Sequence, residues 1–116
     1  MTTKREFYNF GNVEAIAAVA ALGALAQESR LEVFRLLVRQ GPEGMPAGHV
    51  AEALGIPPAT LSFHLAQLGH AGLIRSRREG RRIIYSADYA GMQELLAFLT
   101  EKCCQPAARG GRARKC

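Results

Sequence analysis

The apolar positions of this chain fall into five helical stretches and one alternating stretch. Asn12 suits a helix cap, and Val13, Ile16, Ala17, Ala20 and Ala24 follow at helical spacing, predicting a helix to about Ala26. Its many alanines permit close backbone approach to another helix. Ser29-Arg30-Leu31-Glu32 has the form of a capping box, with Leu31, Phe34, Leu37 and Val38 on one stripe behind it and a stop at Gly41-Pro42. Residues 41–48 are glycine- and proline-rich and predict a loop. Val50, Ala53 and Leu54 mark a short helix that ends at Gly55. Ile56-Pro57-Pro58 interrupts the chain, because a residue before proline avoids helical backbone angles, and Pro58 suits the first position of the next helix. That helix is expected to run to about His70 and to end at Ala71-Gly72.

From Leu73-Ile74 to Tyr85 the pattern changes to that of a hairpin. Glu79-Gly80 is the expected turn, and Ile83, Ile84 and Tyr85 populate the return strand. Asp88 can cap a last helix carrying Met92, Leu95, Leu96, Phe98 and Leu99, which is expected to reach Cys103-Cys104 before Gln105-Pro106 stops it. Two short helices joined by a tight turn, followed by a hairpin, make a winged helix-turn-helix. The expected class is therefore mainly α with a β-hairpin, about five helices plus the wing. Residues 1–11 form an N-terminal arm, 12–104 the winged helix-turn-helix and dimerisation domain, and 105–116 a flexible basic tail that carries Cys116.

Charge sharpens this picture once it is located. The chain has 116 residues, is 48% hydrophobic and carries a formal net charge of +5. Arg75, Arg77, Arg78, Arg81 and Arg82 surround a single Glu79, a net +4 within the hairpin, and Arg109, Arg112, Arg114 and Lys115 place another +4 in the tail. Two concentrated basic patches on an otherwise acidic remainder suggest a polyanion as partner. The most apolar stretch is short, mild and interrupted by Glu14, so no membrane span is expected, and no secretory signal is recognisable. All three cysteines lie at or beyond position 103, which reads as reduced thiols in a reducing, cytoplasmic compartment rather than as a disulfide framework. Paired carboxylates with a base, a phosphate loop and a nucleophile beside a fixed histidine are all missing, so an enzyme is not expected and no cofactor is required.

On the helix 58–70, Leu61, Leu65 and Leu68 converge on an inner arc, while Ala59, Thr60, Phe63, Ala66 and Gln67 lie opposite. This small, lightly polar outer face can enter a major groove. Gln67 suits an adenine edge, Thr60 a base or phosphate, and Phe63 a thymine methyl; each can equally be an ordinary surface residue. Ser62 and His64 sit at the edges of the core face, Ser62 as a further DNA contact and His64 as a partly buried imidazole bonded to backbone. The helix has no Arg or Lys, so phosphate attraction falls to Arg75, Arg77, Arg78, Arg81 and Arg82 of the hairpin.

Residues 25–34 (LAQESRLEVF), Thr60 to Leu68 (TLSFHLAQL) with Ala71-Gly72-Leu73-Ile74, and Arg75 to Tyr85 resemble, in that order, the second helix, recognition helix and wing of arsenic-repressor-type (ArsR/SmtB) transcription factors. The resemblance spans about residues 14–104. It implies a homodimer joined through its first and last helices, binding a palindromic double-stranded operator and releasing it when a metal or metalloid binds. Val13, Ile16, Ala17, Ala20, Met92, Leu95, Leu96 and Leu99 are the interface residues this implies; the same stripes could instead close a single core. Two sensor sites of the family lack counterparts: Met45 to His49 contains no cysteine pair, and the last helix has Asp88 but no histidine.

Some arsenic-responsive members carry adjacent cysteines at the end of the last helix and a third downstream. Cys103, Cys104 and Cys116 resemble that arrangement, which implies trivalent arsenic as the inducer. Soft thiolates select such an ion. Recruiting Cys116 closes a loop of about a dozen residues at a cost of about 2 kcal/mol, and leaving it free yields a two-thiol site suited to organoarsenicals. A disulfide from Cys103 or Cys104 to Cys116 would make the chain a redox-responsive repressor instead. A thiol-based metalloid carrier with incidental basic patches is a reading from another class.

Overall fold

The computed structural model describes residues 12–101, with side chains from Ala15 onward. The N-terminal arm, the basic tail and all three cysteines lie outside the described residues. The elements in order are α1 (Asn12–Leu25), α2 (Glu28–Gln40), β1 (Met45–Pro46), α3 (Ala47–Leu54), α4 (Pro58–His70), β2 (Ile74–Glu79), β3 (Arg82–Ala87) and α5 (Tyr89–Leu99). Among the described residues, five helices and a small antiparallel sheet form a winged helix-turn-helix, as the pattern predicts.

α1 turns Ala18, Ala21 and Ala24 inward and leaves Ile16, Val19 and Leu22 exposed. α2 begins earlier than the capping box predicts. Its cap is Gln27, whose Oε1 accepts from the Arg30 backbone N–H at 2.8 Å, so Ser29 and Glu32 lie within the helix. Only Ala26 and Gln27 separate the two helices, and that short connection sets the start of α2. The buried face also shifts to Val33, Phe34 and Leu37, while Leu31 is exposed. An apolar arc running from Val33 to Val38 can face several ways, and packing against α4 and β3 selects one of them.

The expected loop contains a third strand. Met45 and Pro46 pair with Tyr85 and Ile84, giving the sheet order β1-β3-β2. In α3, Val50 is buried and Leu54 packs against the core as expected, while Ala51 is buried in place of Ala53. α4 follows Pro57, with Pro58 in its first turn, and buries Leu61, Leu65 and Leu68 as its spacing predicts. β2 and β3 run in register from Ile74↔Ala87 to Glu79↔Arg82, so the two-residue turn is Gly80-Arg81 rather than Glu79-Gly80. Gly80 adopts φ +66, a left-handed angle that glycine takes at little cost.

Asp88 caps α5, its Oδ1 accepting from the Gly91 N–H at 3.0 Å. The helix ends at Leu99, short of the cysteines it was expected to reach. The Thr100 hydroxyl donates to the Leu96 carbonyl at 2.8 Å where the regular pattern stops. The core lies between α2, α3, α4 and the base of the hairpin, with Leu37, Leu61, Leu68, Leu73, Val33 and Val50 fully enclosed. α5 joins it through Leu95 and through the Tyr89 hydroxyl, which donates to the Val38 carbonyl at 3.1 Å.

Candidate nucleic-acid interface

The inner leucines of α4 fix the opposite face outward. Ala59, Thr60, Ser62, Phe63 and Ala66 are exposed and Gln67 is half-buried, which gives the face read from the sequence. Phe63 leaves 57% of its surface in solvent although its ring centroid stands 6.0 Å from that of His64. A large exposed ring on a helix of small side chains is an apolar projection of the kind that touches a thymine methyl.

His64 is buried, but its partner is a side chain rather than the backbone. Arg30 Nη1 donates to His64 Nδ1 at 3.4 Å, which leaves the imidazole proton on Nε2. Arg30 Nε donates to the Ala24 carbonyl at 2.8 Å, so one guanidinium links the end of α1 to the recognition helix. Burial first, and the Arg30 charge second, hold the His64 pKa below its usual 6.5. The histidine is thus a neutral structural strut on the inner side of α4. No spacing rule could have found it, since its partner lies 34 residues away.

Arg75, Arg78, Arg81 and Arg82 are exposed along the hairpin. Arg77 is exposed too, but it is engaged within the chain: Nε donates to Glu79 Oε2 and Nη2 to the Glu43 carbonyl, both at 3.0 Å. The wing therefore carries four guanidiniums that no hydrogen bond among the described residues ties down.

Of the expected interface residues, Leu95 is buried in the chain's own core and Met92 is half-buried against it. Ile16, Leu96 and Leu99 expose 69%, 46% and 50% of their surface, and Ala17 and Ala20 are exposed beside them. Val19 and Leu22, which the sequence reading missed, extend the exposed stripe on α1. The side chain of Val13 lies outside the described residues. Among the described residues, no cluster of three or more histidine, cysteine or acidic side chains could hold a metal ion, and no helix is long and apolar enough to cross a membrane.

This is the geometry of a winged helix-turn-helix DNA-binding fold, and comparison with known proteins agrees. Residues 25–77 match a helix-turn-helix domain family. The chain is 32% identical over 87 residues to the HTH-type transcriptional regulator YgaV of Escherichia coli, covering 75% of this chain and 86% of the relative. It is 39% identical over 84 residues to the HTH-type transcriptional regulator NmtR of Mycobacterium tuberculosis, covering 72% and 68% respectively. The solved structure of an ArsR-like transcriptional regulator from Rhodococcus superposes with a TM-score of 0.67 at 27% identity, over 77% of this chain and 80% of that one. The chain belongs to the ArsR/SmtB family of winged helix-turn-helix transcriptional regulators, which are not enzymes.

Proposed function

We propose that this regulator is a homodimeric repressor that binds a palindromic operator and leaves it when trivalent arsenic is captured by Cys103 and Cys104, with Cys116 as a third ligand. The observation that carries the DNA half of the reading is the pairing of an uncharged exposed face on α4 with an adjacent arginine-rich wing. Thr60, Ser62, Phe63 and Gln67 read base edges, while Arg75, Arg78, Arg81 and Arg82 grip phosphates. The dimer is supported by the aliphatic side chains that α1 and α5 leave uncovered, Ile16, Val19 and Leu22 on one and Leu96 and Leu99 on the other. A second copy covering them would set the two recognition helices at the spacing of a two-fold operator.

The inducer is argued from the chemistry of the cysteines. Adjacent thiols just beyond α5 form a chelating pair, and each arsenic–sulfur bond replaces a hydroxyl of arsenite with loss of water. Capture at that place pulls on the end of α5 and so on the dimer contact. A bias on the order of a few kcal/mol between two dimer arrangements suffices for release.

The test is a mobility-shift titration on the DNA upstream of the chain's own gene, with arsenite, methylarsenite, zinc and peroxide as separate arms. Arsenite is expected to release the DNA in the presence of reductant, and Cys103→Ser is expected to bind DNA without responding. Release by peroxide alone, reversed by reductant, would replace the arsenic reading with the redox one. A normal arsenite response in Cys103→Ser would remove these cysteines from the site.

A further inference from the structure

The five arginines of the wing are not equivalent. Arg75, Arg77, Glu79, Arg82, Ile84 and Ser86 share one face of the hairpin, because side chains alternate along each strand and Arg77 stands directly opposite Ile84. Ile84 in turn pairs with Pro46 of β1 on the far side of the middle strand. The Arg77 guanidinium reaches across that strand to the carbonyl of Glu43, two residues before β1. The same guanidinium is held by Glu79, with both Nε and Nη2 at 3.0 Å from Oε2. Beneath this strap the backbone is already close. A Cβ on Gly44 would overlap the Tyr85 carbonyl oxygen and stand 2.9 Å from Ile84 Cγ2. The residues from 43 to 46 lead straight into α3, the first helix of the helix-turn-helix.

We infer that Arg77 is a positioning residue, which fixes the angle of the wing against the start of the helix-turn-helix, and that Glu79 withholds its charge from DNA. The inference rests on the DNA-binding reading above. Three donor contacts in two directions need the planar fork of arginine, which the point charge of lysine cannot reproduce. A guanidinium already neutralised by a carboxylate displaces no counterion when a phosphate approaches. Phosphate attraction therefore falls to Arg75, Arg78, Arg81 and Arg82, and Arg77 acts by holding them in place.

Counterion release separates the two roles. Binding of the full chain to a mixed-sequence duplex of about 30 base pairs, measured by fluorescence anisotropy, has a slope of log affinity against log salt near −0.9 per neutralised phosphate. Arg78→Ala is expected to flatten the slope by about 0.9. Arg77→Ala combined with Glu79→Gln, which removes both charges of the pair, is expected to leave the slope unchanged while weakening binding by about three- to ten-fold, the equivalent of one or two lost hydrogen bonds. Arg77→Lys should weaken binding by a similar factor. Glu79→Gln keeps an acceptor for Nε but uncovers the charge, so it should steepen the slope. Circular dichroism of each variant confirms that it is folded.

A flattened slope in the double variant, wild-type binding in Arg77→Lys or an unchanged slope in Glu79→Gln would each overturn the inference. If the wild-type chain failed to bind the duplex, or bound it regardless of salt, the DNA-binding reading itself would fall, which is a separate outcome.

Discussion

Two glycines in helices of this chain should respond to alanine with opposite signs. Gly91 lies in the first turn of α5, and a Cβ there would overlap the Gly72 carbonyl oxygen, with the Gly72 carbonyl carbon at 3.3 Å and Asp88 Cγ at 3.5 Å. Gly72 follows the end of α4, where the Leu73 N–H bonds the Leu68 carbonyl and the Leu73 carbonyl accepts from Asp88 N–H at 2.8 Å. The obstacle is therefore backbone held on both sides, and it cannot swing away as a side-chain tip would. Alanine within a helix gains about 0.5–1 kcal/mol over glycine, whereas forcing an extra carbon into a packed contact costs about 1–3 kcal/mol. The rigid neighbour favours the upper part of that range, for a net loss of about 2 kcal/mol. Gly69 on α4 has nothing within 4 Å of an added Cβ, so Gly69→Ala should gain up to about 1 kcal/mol. Urea unfolding at one fixed protein concentration measures both. Gly91→Ala should lower the midpoint by about 1 M and Gly69→Ala should raise it slightly. A Gly91→Ala protein as stable as wild type would show that α5 and the turn after α4 are not in backbone contact, and the argument would fail.

Two further outcomes can be checked. The folded-state pKa of His64 lies below 6.5, so between those values the unfolded chain binds more protons than the folded one and stability rises with pH. The stabilisation is fully present above about pH 6.5 and is lost as pH falls through the folded value, and His64→Gln should flatten denaturation midpoints measured across that window. Leu96→Glu combined with Leu99→Glu alters only half-exposed positions of the protomer, so it should leave the fold intact and convert a dimer to a monomer in analytical ultracentrifugation. A dimer that survived both charges would place the interface elsewhere.

The parts of the fold legible in the sequence are those with local causes. The stripe Leu61, Leu65, Leu68 orients α4 because nothing else on that helix is large and apolar except Phe63, and Asp88 caps α5 because a carboxylate there meets a free N–H. The errors have local causes as well. Ser29 and Glu32 form a convincing capping box, but a two-residue connection brings the helix start forward to Gln27. α1 is apolar nearly all round, so its pattern could not say that the alanines face inward and Val19 and Leu22 outward. A strand of two residues has no period to detect, which hid β1. Both arginine contacts that shape the site, Arg30 with His64 and Arg77 with Glu43, join residues 34 apart and exist only once the chain is folded.

Those two arginines clarify how the site divides its work. α4 presents no positive charge outward, and its one buried titratable group is kept neutral, so in the proposed reading the helix would bring shape and hydrogen-bonding edges to a groove but little attraction. The wing has the reverse character: four unengaged guanidiniums on a hairpin whose tip is a two-residue turn. Attraction from a hairpin is useful only if its angle to the helix is fixed, since guanidiniums swung out of place meet fewer phosphates and align the helix with none. Arg30 braces α4 from behind and Arg77 braces the wing from the side. On the proposed reading a count of basic residues overstates the grip of this surface, and the ratio of specific to non-specific affinity should depend more on the two braced arginines than on any one of the four that remain free.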